Sequence, residues 1–220
     1  MSLPNSSDKL LSSFKAKLRS QINKAYKNGL TSIIGSANLL NDFYSVFSEN
    51  MRDLGSPVHS RKWILSILKA YANKAHVSVV YMPDGQPAAA GIILCHPKVV
   101  SIPWASSLRR FNTSNPNMML YWSFLKFAAD NDYPAFDFGR STPGESTFRF
   151  KKQWGAEPEG LHWADFNATE FLIGGLNRPA TEALTPDHGK IRPLAESVIQ
   201  RMPLSFSKAF GNMTRKYITL

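Results

Sequence analysis

The chain has little of what marks several large functional classes. Its 220 residues include one cysteine, Cys95, so no internal disulfide is available. Cys95 lies in an apolar run, which fits a buried structural thiol better than a nucleophile. Five histidines, at 59, 76, 96, 162 and 188, are scattered, and none stands at a metal-ligand spacing from another His or Cys. No structural zinc is expected. There is no G-x-S-x-G elbow, no Walker loop and no G-x-G-x-x-G turn, which removes the usual signatures of serine hydrolases, P-loop enzymes and dinucleotide-binding folds. The longest apolar run, Ala88 to Cys95, falls far short of the ~20 residues that cross a bilayer, and the first fourteen residues hold no apolar signal core. These absences lead to the expectation of a cytoplasmic protein, with contact at the inner face of the membrane left open.

Acidic residues are also few. Sixteen Asp and Glu face 26 Lys and Arg, a formal charge of +10. That balance favours an anionic partner, whether nucleic acid, a nucleotide-linked substrate or a lipid surface, without choosing among them. A hydrophobic fraction of 43% and an aromatic fraction of 12% supply an ordinary core.

Six of the basic residues fall in the first thirty, against one acid. From Phe14 to Gly29 the apolar positions Leu11, Phe14, Leu18, Ile22 and Ala25 repeat at helical spacing. Lys17, Gln21, Lys24 and Asn28 line another face, flanked by Arg19 and Lys27. This is either a solvated surface or a phosphate-facing helix. A short strand follows at Leu30–Gly35, then a helix capped by Ser36 and running to Leu54. A second helix begins at Ser60, with Trp63, Ile64, Ile67, Leu68 and Tyr71 turned inward. "HVSVVYM", "PAAAGIILCH" and "KVVSIPW" read as an antiparallel meander whose first hairpin turns at Asp84-Gly85. A polar stretch leads to a helix from Asn117 to Asp130. "PAFDFG" is then a strand that pairs parallel to the third of the meander, because a helix separates them. "FRFKKQWG" reads as a turn and "GLHWADF" as a further strand. The last forty residues are punctuated by Pro and Gly and then become helical and basic. The expected organisation is a basic helical segment over 1–29, a layered sheet-and-helix domain over 30–170 and a basic helical tail over 171–220. The fold class is α/β (α+β), with a mixed, mostly antiparallel sheet flanked by helices.

The strand–helix–strand order around Trp104–Asn117 resembles that of a GNAT-type acyltransferase, which implies a GNAT-like acyltransferase domain over 30–170. A phosphate-bearing donor would sit at the helix N-terminus. The Q/R-x-x-G-x-G/A loop that usually cradles acetyl-coenzyme A is absent, because "SLRRFNTSNPNMM" has no glycine.

"FDFGRSTPGESTFRFKKQWGAEP", Phe136 to Pro158, opens as a strand and leaves it through a polar, glycine-bearing loop. It is either a solvated corner or the lip of an active site. It closely resembles the signature of the FemAB/FemX-like proteins, the peptidoglycan bridge-forming aminoacyltransferases, and of their BioF2-like acetyltransferase relatives. The resemblance is nearest to the branch associated with exosortase/PEP-CTERM systems. "KLRSQINKAYKNGL", "FYSVFSENMRDLGSPVHSRKW", "WASSLRRFNTSNPNMMLYW" and "RMPLSFSKAFGNMTRKY" resemble further segments of that family in the same order.

The resemblance implies a pair of GNAT-like domains, of which 220 residues would cover the second and a tail. It implies transfer of an aminoacyl or acyl group to an amine of a nucleotide- or lipid-linked cell-envelope precursor. No tightly bound cofactor is implied; aminoacyl-tRNA or acyl-CoA is the donor substrate. The family's Phe-Lys pair falls on Phe150 and Lys151, and Lys151 becomes the catalytic candidate. Arg149, Gly139, Arg140 and Ser141 join Phe150 as substrate-binding candidates. Trp104, Ser106, Ser107, Arg109, Asn117 and Tyr121 would line the donor side, and Lys17, Arg19 and Lys24 would hold phosphates. Peripheral membrane association and a homodimer or partner domain are further expectations. The alternatives are a non-catalytic, partner-dependent half-protein that binds polyanions, and an acetyl-CoA-dependent N-acetyltransferase.

Overall fold

A computed structural model describes residues 1–161 and 191–215. Five strands form one sheet in sequence order: β1 Thr31–Gly35, β2 Ala75–Tyr81, β3 Pro87–His96, β4 Val99–Ser107 and β5 Phe136–Asp137. The first three pairings are antiparallel and β4–β5 is parallel, as the intervening helix required. Beyond β5, Met1–Leu3 lies antiparallel to the chain at 134–136, through a Ser2–Ala135 bridge and a Leu3 N–H bond to Pro134 O of 2.9 Å.

Helices cover both faces. α1 (Ser7–Ser13), α2 (Ala16–Lys27) and α5 (Pro116–Asp130) share one core with the sheet; α3 (Leu40–Asp53) and α4 (Arg61–Tyr71) build another on the opposite face. Ala88, Ala89 and Ala90 are fully buried, so β3 is packed on both sides. Eleven of the fifteen residues of α5 are buried, so this helix has almost no solvent face and belongs to the interior. Each fully buried Leu or Phe in it contributes on the order of 1.5–3 kcal/mol.

The helix expected from Phe14 to Gly29 is α2, and a separate short helix, α1, precedes it. Phe14 adopts an extended backbone between them and turns its ring into the core. The Arg19 guanidinium bridges the break, donating to Ser12 O at 3.0 Å and Phe14 O at 3.1 Å. Ser60 caps α4 as expected, its side chain accepting from Trp63 N–H at 3.1 Å. Ser36 does not cap α3; its own N–H donates to Asn38 Oδ1 at 2.9 Å, and a 3-10 turn at Ala37–Leu39 precedes the helix. Trp63 and Tyr71 stay exposed, while Ile64 and Leu68 carry the burial of α4.

"FRFKKQWG" is not a turn. Residues Ser146–Gln153 form a helix, α6, because Phe150 and Trp154, four apart, both pack inward. β4 also runs further than expected, through Ser107. Most of the expected strand at Gly160–Phe166 and of the punctuated stretch Gly175–Leu194 lies outside the described residues.

Two helices, Ile191–Arg201 and Leu204–Thr214, dock near the end of α3. At Gly211 a Cβ would lie 2.5 Å from Val58 O. Only glycine permits this backbone approach, so the second helix is held against the α3–α4 connection.

Candidate active site

β4 and β5 pair only through Val100–Phe136 and Ser101–Asp137. Opposite β3, the register jumps from Leu94–Ser101 to Ile92–Trp104, which places a bulge at Ile102–Pro103. A proline inside a strand marks such a break, because it cannot donate to the ladder. Past the bulge, β4 from Trp104 to Ser107 has no β5 partner, and a fork opens between the two strands.

The chain leaves β5 along one side of that fork. Asp137 Oδ1 accepts the Gly139 N–H at 2.7 Å, a local side-chain turn that ends the strand. Gly139 sits at φ +69°, where a side chain would be strained, and its Cβ position lies 3.6 Å from Ile102 O. The loop therefore runs past the bulge, and α6 follows it. Trp154, 1% exposed, anchors the end of α6. Its ring meets Phe14 edge-on at 5.6 Å, Tyr121 at 6.2 Å and Phe150 at 6.2 Å.

This anchoring aims Lys151 back at the loop. Its Nζ donates to Gly139 O at 3.0 Å and Arg140 O at 2.7 Å. A lysine ammonium has three N–H groups, and among the described residues the third has no partner. Burial pushes the Lys151 pKa down, against the opposing pull of the Asp137 carboxylate. Lys152, the next residue, is exposed.

Phe150 packs edge-on against Tyr121 at 4.8 Å, and Tyr121 stacks on Phe138 at 5.9 Å. Tyr121 is thus a packing residue beneath Phe150, and burial pushes its hydroxyl up to about 12. Arg149 and Arg140 are exposed. Ser141 Oγ, Ser107 Oγ, Trp154 Nε1 and Gln21 Oε1 are buried without a hydrogen-bond partner among the described residues. Buried polar atoms of this kind call for an explanation, and these four belong to elements that converge on the fork and on the first turn of α5. There Asn115 Nδ2 donates to Gln21 O at 3.2 Å, and Gln153 Nε2 donates to Met118 Sδ at 3.8 Å.

That first turn differs from the anion cradle expected of it. Pro116 has no N–H, and the N–H groups of Met118 and Met119 both donate to Asn115 O, at 3.1 and 3.3 Å. Of the first helical amides only that of Asn117 is left. The preceding 3-10 turn, Arg109–Ser114, leaves Arg109 exposed, and Arg110 pairs with Glu49.

The remaining candidates separate in space. Trp104 packs against the core under α3 and α4. Ser106 is buried and accepts from Asn50 Nδ2 of α3 at 3.2 Å. Lys17 and Lys24 are exposed on α2, where Ala16, Arg19, Ser20, Asn23, Lys24 and Lys27 line a shallow cavity of about 460 Å³. The structure therefore groups Lys151 with Phe150, Gly139, Arg140 and Ser141, sets Trp104, Ser106 and Ser107 along β4, and leaves the α2 cations apart. Sequence reasoning overlooked the bulge, for which the Pro103 strand residue was the available signal, and the anchoring role of Trp154. It also overlooked an aromatic cluster of His59, Trp63 and Trp104. Among the described residues no group of three or more His, Cys, Asp or Glu is placed to hold a metal, and no helix is long and apolar enough to cross a membrane.

Comparison with known proteins bears on this geometry. The crystal structure of FemX superposes with a TM-score of 0.61 at 15% identity, over 70% of this chain and 57% of FemX. This chain thus spans little more than half of FemX. The aminoglycoside acetyltransferase AAC(6')-Iy, solved with a bisubstrate analog of coenzyme A, gives 0.53 at 11% identity over 63% of this chain and 99% of its own. AAC(6')-Ih from Acinetobacter baumannii gives 0.51 at 14% identity, over 63% and 99%. At these identities the likeness establishes the fold. No curated protein matches the chain. The family model described as an acetyltransferase (GNAT) domain matches residues 12–152, most of the chain. The forked sheet, with its helical crossover from β4 to β5, is that family's fold, and the chain belongs to the GNAT acetyltransferase family.

Proposed function

We propose that this acyltransferase moves an acyl or aminoacyl group from an activated ester or thioester to an amine of a cell-envelope precursor, peptidoglycan- or exopolysaccharide-related. The observation that carries the reading is Lys151, half-buried and held by two loop carbonyls beside the fork. The neutral amine attacks the donor carbonyl, a C–N bond forms, and charge develops on the carbonyl oxygen. The third Lys151 N–H stabilises that oxygen as the C–O or C–S bond breaks. The amine's proton leaves with the departing oxygen or sulfur. Such chemistry needs position and an oxyanion donor rather than a metal or an enzyme nucleophile.

Two observations pull the donor in different directions. The consumed amides at the start of α5 and the glycine-free loop favour a donor held elsewhere than at a pyrophosphate cradle, such as aminoacyl-tRNA with its phosphates on Lys17, Arg19 and Lys24. Family membership, and AAC(6')-Iy with its coenzyme A analog, favour acyl-CoA and an N-acetyltransferase. Calorimetry with coenzyme A separates them: micromolar binding selects the thioester donor. The FemAB-like, exosortase-associated branch is part of the proposal, as is a partner domain, given that the chain spans 57% of FemX. The catalytic test is Lys151→Ala with amide product followed by mass spectrometry. Loss of product with retained folding supports the role, and unchanged turnover removes it.

A further inference from the structure

We propose that His59, Trp63, Trp104 and Arg215 form an acceptor subsite for an oxyanion, carboxylate or phosphate, borne on a sugar ring. This rests on the transferase reading and names the chemistry its acceptor must carry.

Trp104 stands on β4 three residues beyond its last β5 pair, on the sheet face covered by α3 and α4. The Trp63 indole meets it edge-on at 5.5 Å and 85°. His59 stacks on Trp63 at 4.0 Å and 14°. Trp63 is still 41% exposed, which leaves aromatic surface for a ring to lie on. The open half of β4 thus has the Lys151 fork along its edge and an aromatic wall on one face.

Arg215 completes the wall. Its Nε donates to His59 Nε2 at 3.2 Å. Burial, and then the Arg215 charge, hold the His59 pKa down at about 4, so near neutral pH the imidazole accepts this bond uncharged. A neutral imidazole orients the guanidinium without balancing its charge. Among the described residues no carboxylate pairs with Arg215 and its two Nη groups have no hydrogen-bond partner. Further cations reach the cluster through Tyr44. Tyr44 donates to His59 O at 3.1 Å, Lys208 lies 5.5 Å over the Tyr44 ring, and Arg61 acts on the Tyr44 hydroxyl. On α3, Asp53 and Glu49 are paired with Arg52 and Arg110. A guanidinium tied at Nε presents a planar fork of two Nη donors, the geometry that takes an oxyanion bidentately. The Gly211–Val58 backbone contact fixes the helix that delivers it.

The test uses the full chain without any donor. Glucosamine 6-phosphate, muramic acid and glucosamine are titrated in turn, with tryptophan fluorescence and ligand-observed NMR as readouts. At least one anionic sugar is expected to bind about tenfold tighter than glucosamine, the worth of one charge-assisted fork. Which of the two binds tighter identifies phosphate or carboxylate. Arg215→Gln is expected to bring the ratio to within about twofold, with glucosamine binding unchanged. Arg215→Lys keeps the charge but not the fork; it should retain part of the ratio and covers the case in which Arg215→Gln melts early. Equal binding of all three sugars by the wild type, or a ratio that survives both substitutions, overturns the proposal. So does a ratio lost in a Lys24→Ala/Lys27→Ala variant instead. Because no donor is present, a failed transfer assay leaves this result standing. Successful transfer without anion preference overturns the subsite alone.

Discussion

The outer face of α2 and the inner face of α6 both carry lysines, and they differ in what surrounds them. On α2, Lys17, Lys24 and Lys27 stand in water. On α6, Lys151 is half-buried, bonded to two carbonyls and shifted downward in pKa, while its neighbour Lys152 is exposed like the lysines of α2. Charge per residue is the same in all of them. A +10 chain advertises its cations in bulk, but the proposed chemistry falls to the one whose surroundings are fixed. Trp154 supplies that fixing, because it locks α6 against Phe14 and Tyr121.

The comparison is broken most severely by Trp154→Ala. Removing this buried ring is expected to cost about 3–5 kcal/mol, read from the urea midpoint, and to release Lys151 with it. A loss below about 1 kcal/mol would mean that α6 is not anchored there.

Next comes the C-terminal clamp. With the His59 pKa at about 4 when folded and 6.5 when unfolded, the unfolded chain binds the extra proton between those values. Stability is full above pH 6.5 and falls as pH drops toward 4. His59→Gln should flatten that slope, measured as the midpoint difference between pH 6.5 and 4.5. An unchanged slope would show that another group dominates.

The smallest effect is expected on α2. Lys24→Ala/Lys27→Ala should leave stability within about 0.5 kcal/mol. If the donor is aminoacyl-tRNA, KM should rise severalfold and lose salt dependence, with kcat retained. A drop in kcat would place these lysines in the chemistry and erase the contrast with α6.

Much of the fold was readable because it depends on periodicity. The β2–β4 meander alternates or runs apolar between clear turns, and the Pro116–Asp130 helix is nearly continuous in core residues, so parallel pairing of β5 followed from the crossover. The short helix α1 before Phe14 was not placed, since Leu11 falls on the same apolar stripe as Leu18 and Ile22 and its separate packing is a tertiary matter. α6 was mistaken for a turn because Gly139, Gly144 and Gly155 punctuate it closely. Its helix depends on a tertiary contact, Trp154 against Phe14, that local propensity cannot report. Lys151 was legible only through the Phe-Lys signature; its two carbonyl partners lie eleven and twelve residues away, at loop positions that no spacing rule specifies. The His59–Arg215 pair spans 156 residues and left no local trace.

The most direct test of the central claim compares two adjacent lysines. Amide formation is measured for Lys151→Ala and Lys152→Ala with acetyl-CoA and with aminoacyl-tRNA, beside the melting temperature of each variant. The account predicts about a hundredfold loss for Lys151→Ala, the size expected when an oxyanion donor is removed, and less than about a twofold change for Lys152→Ala, with both variants folded. Equal effects of the two substitutions, or full activity in Lys151→Ala, would contradict it.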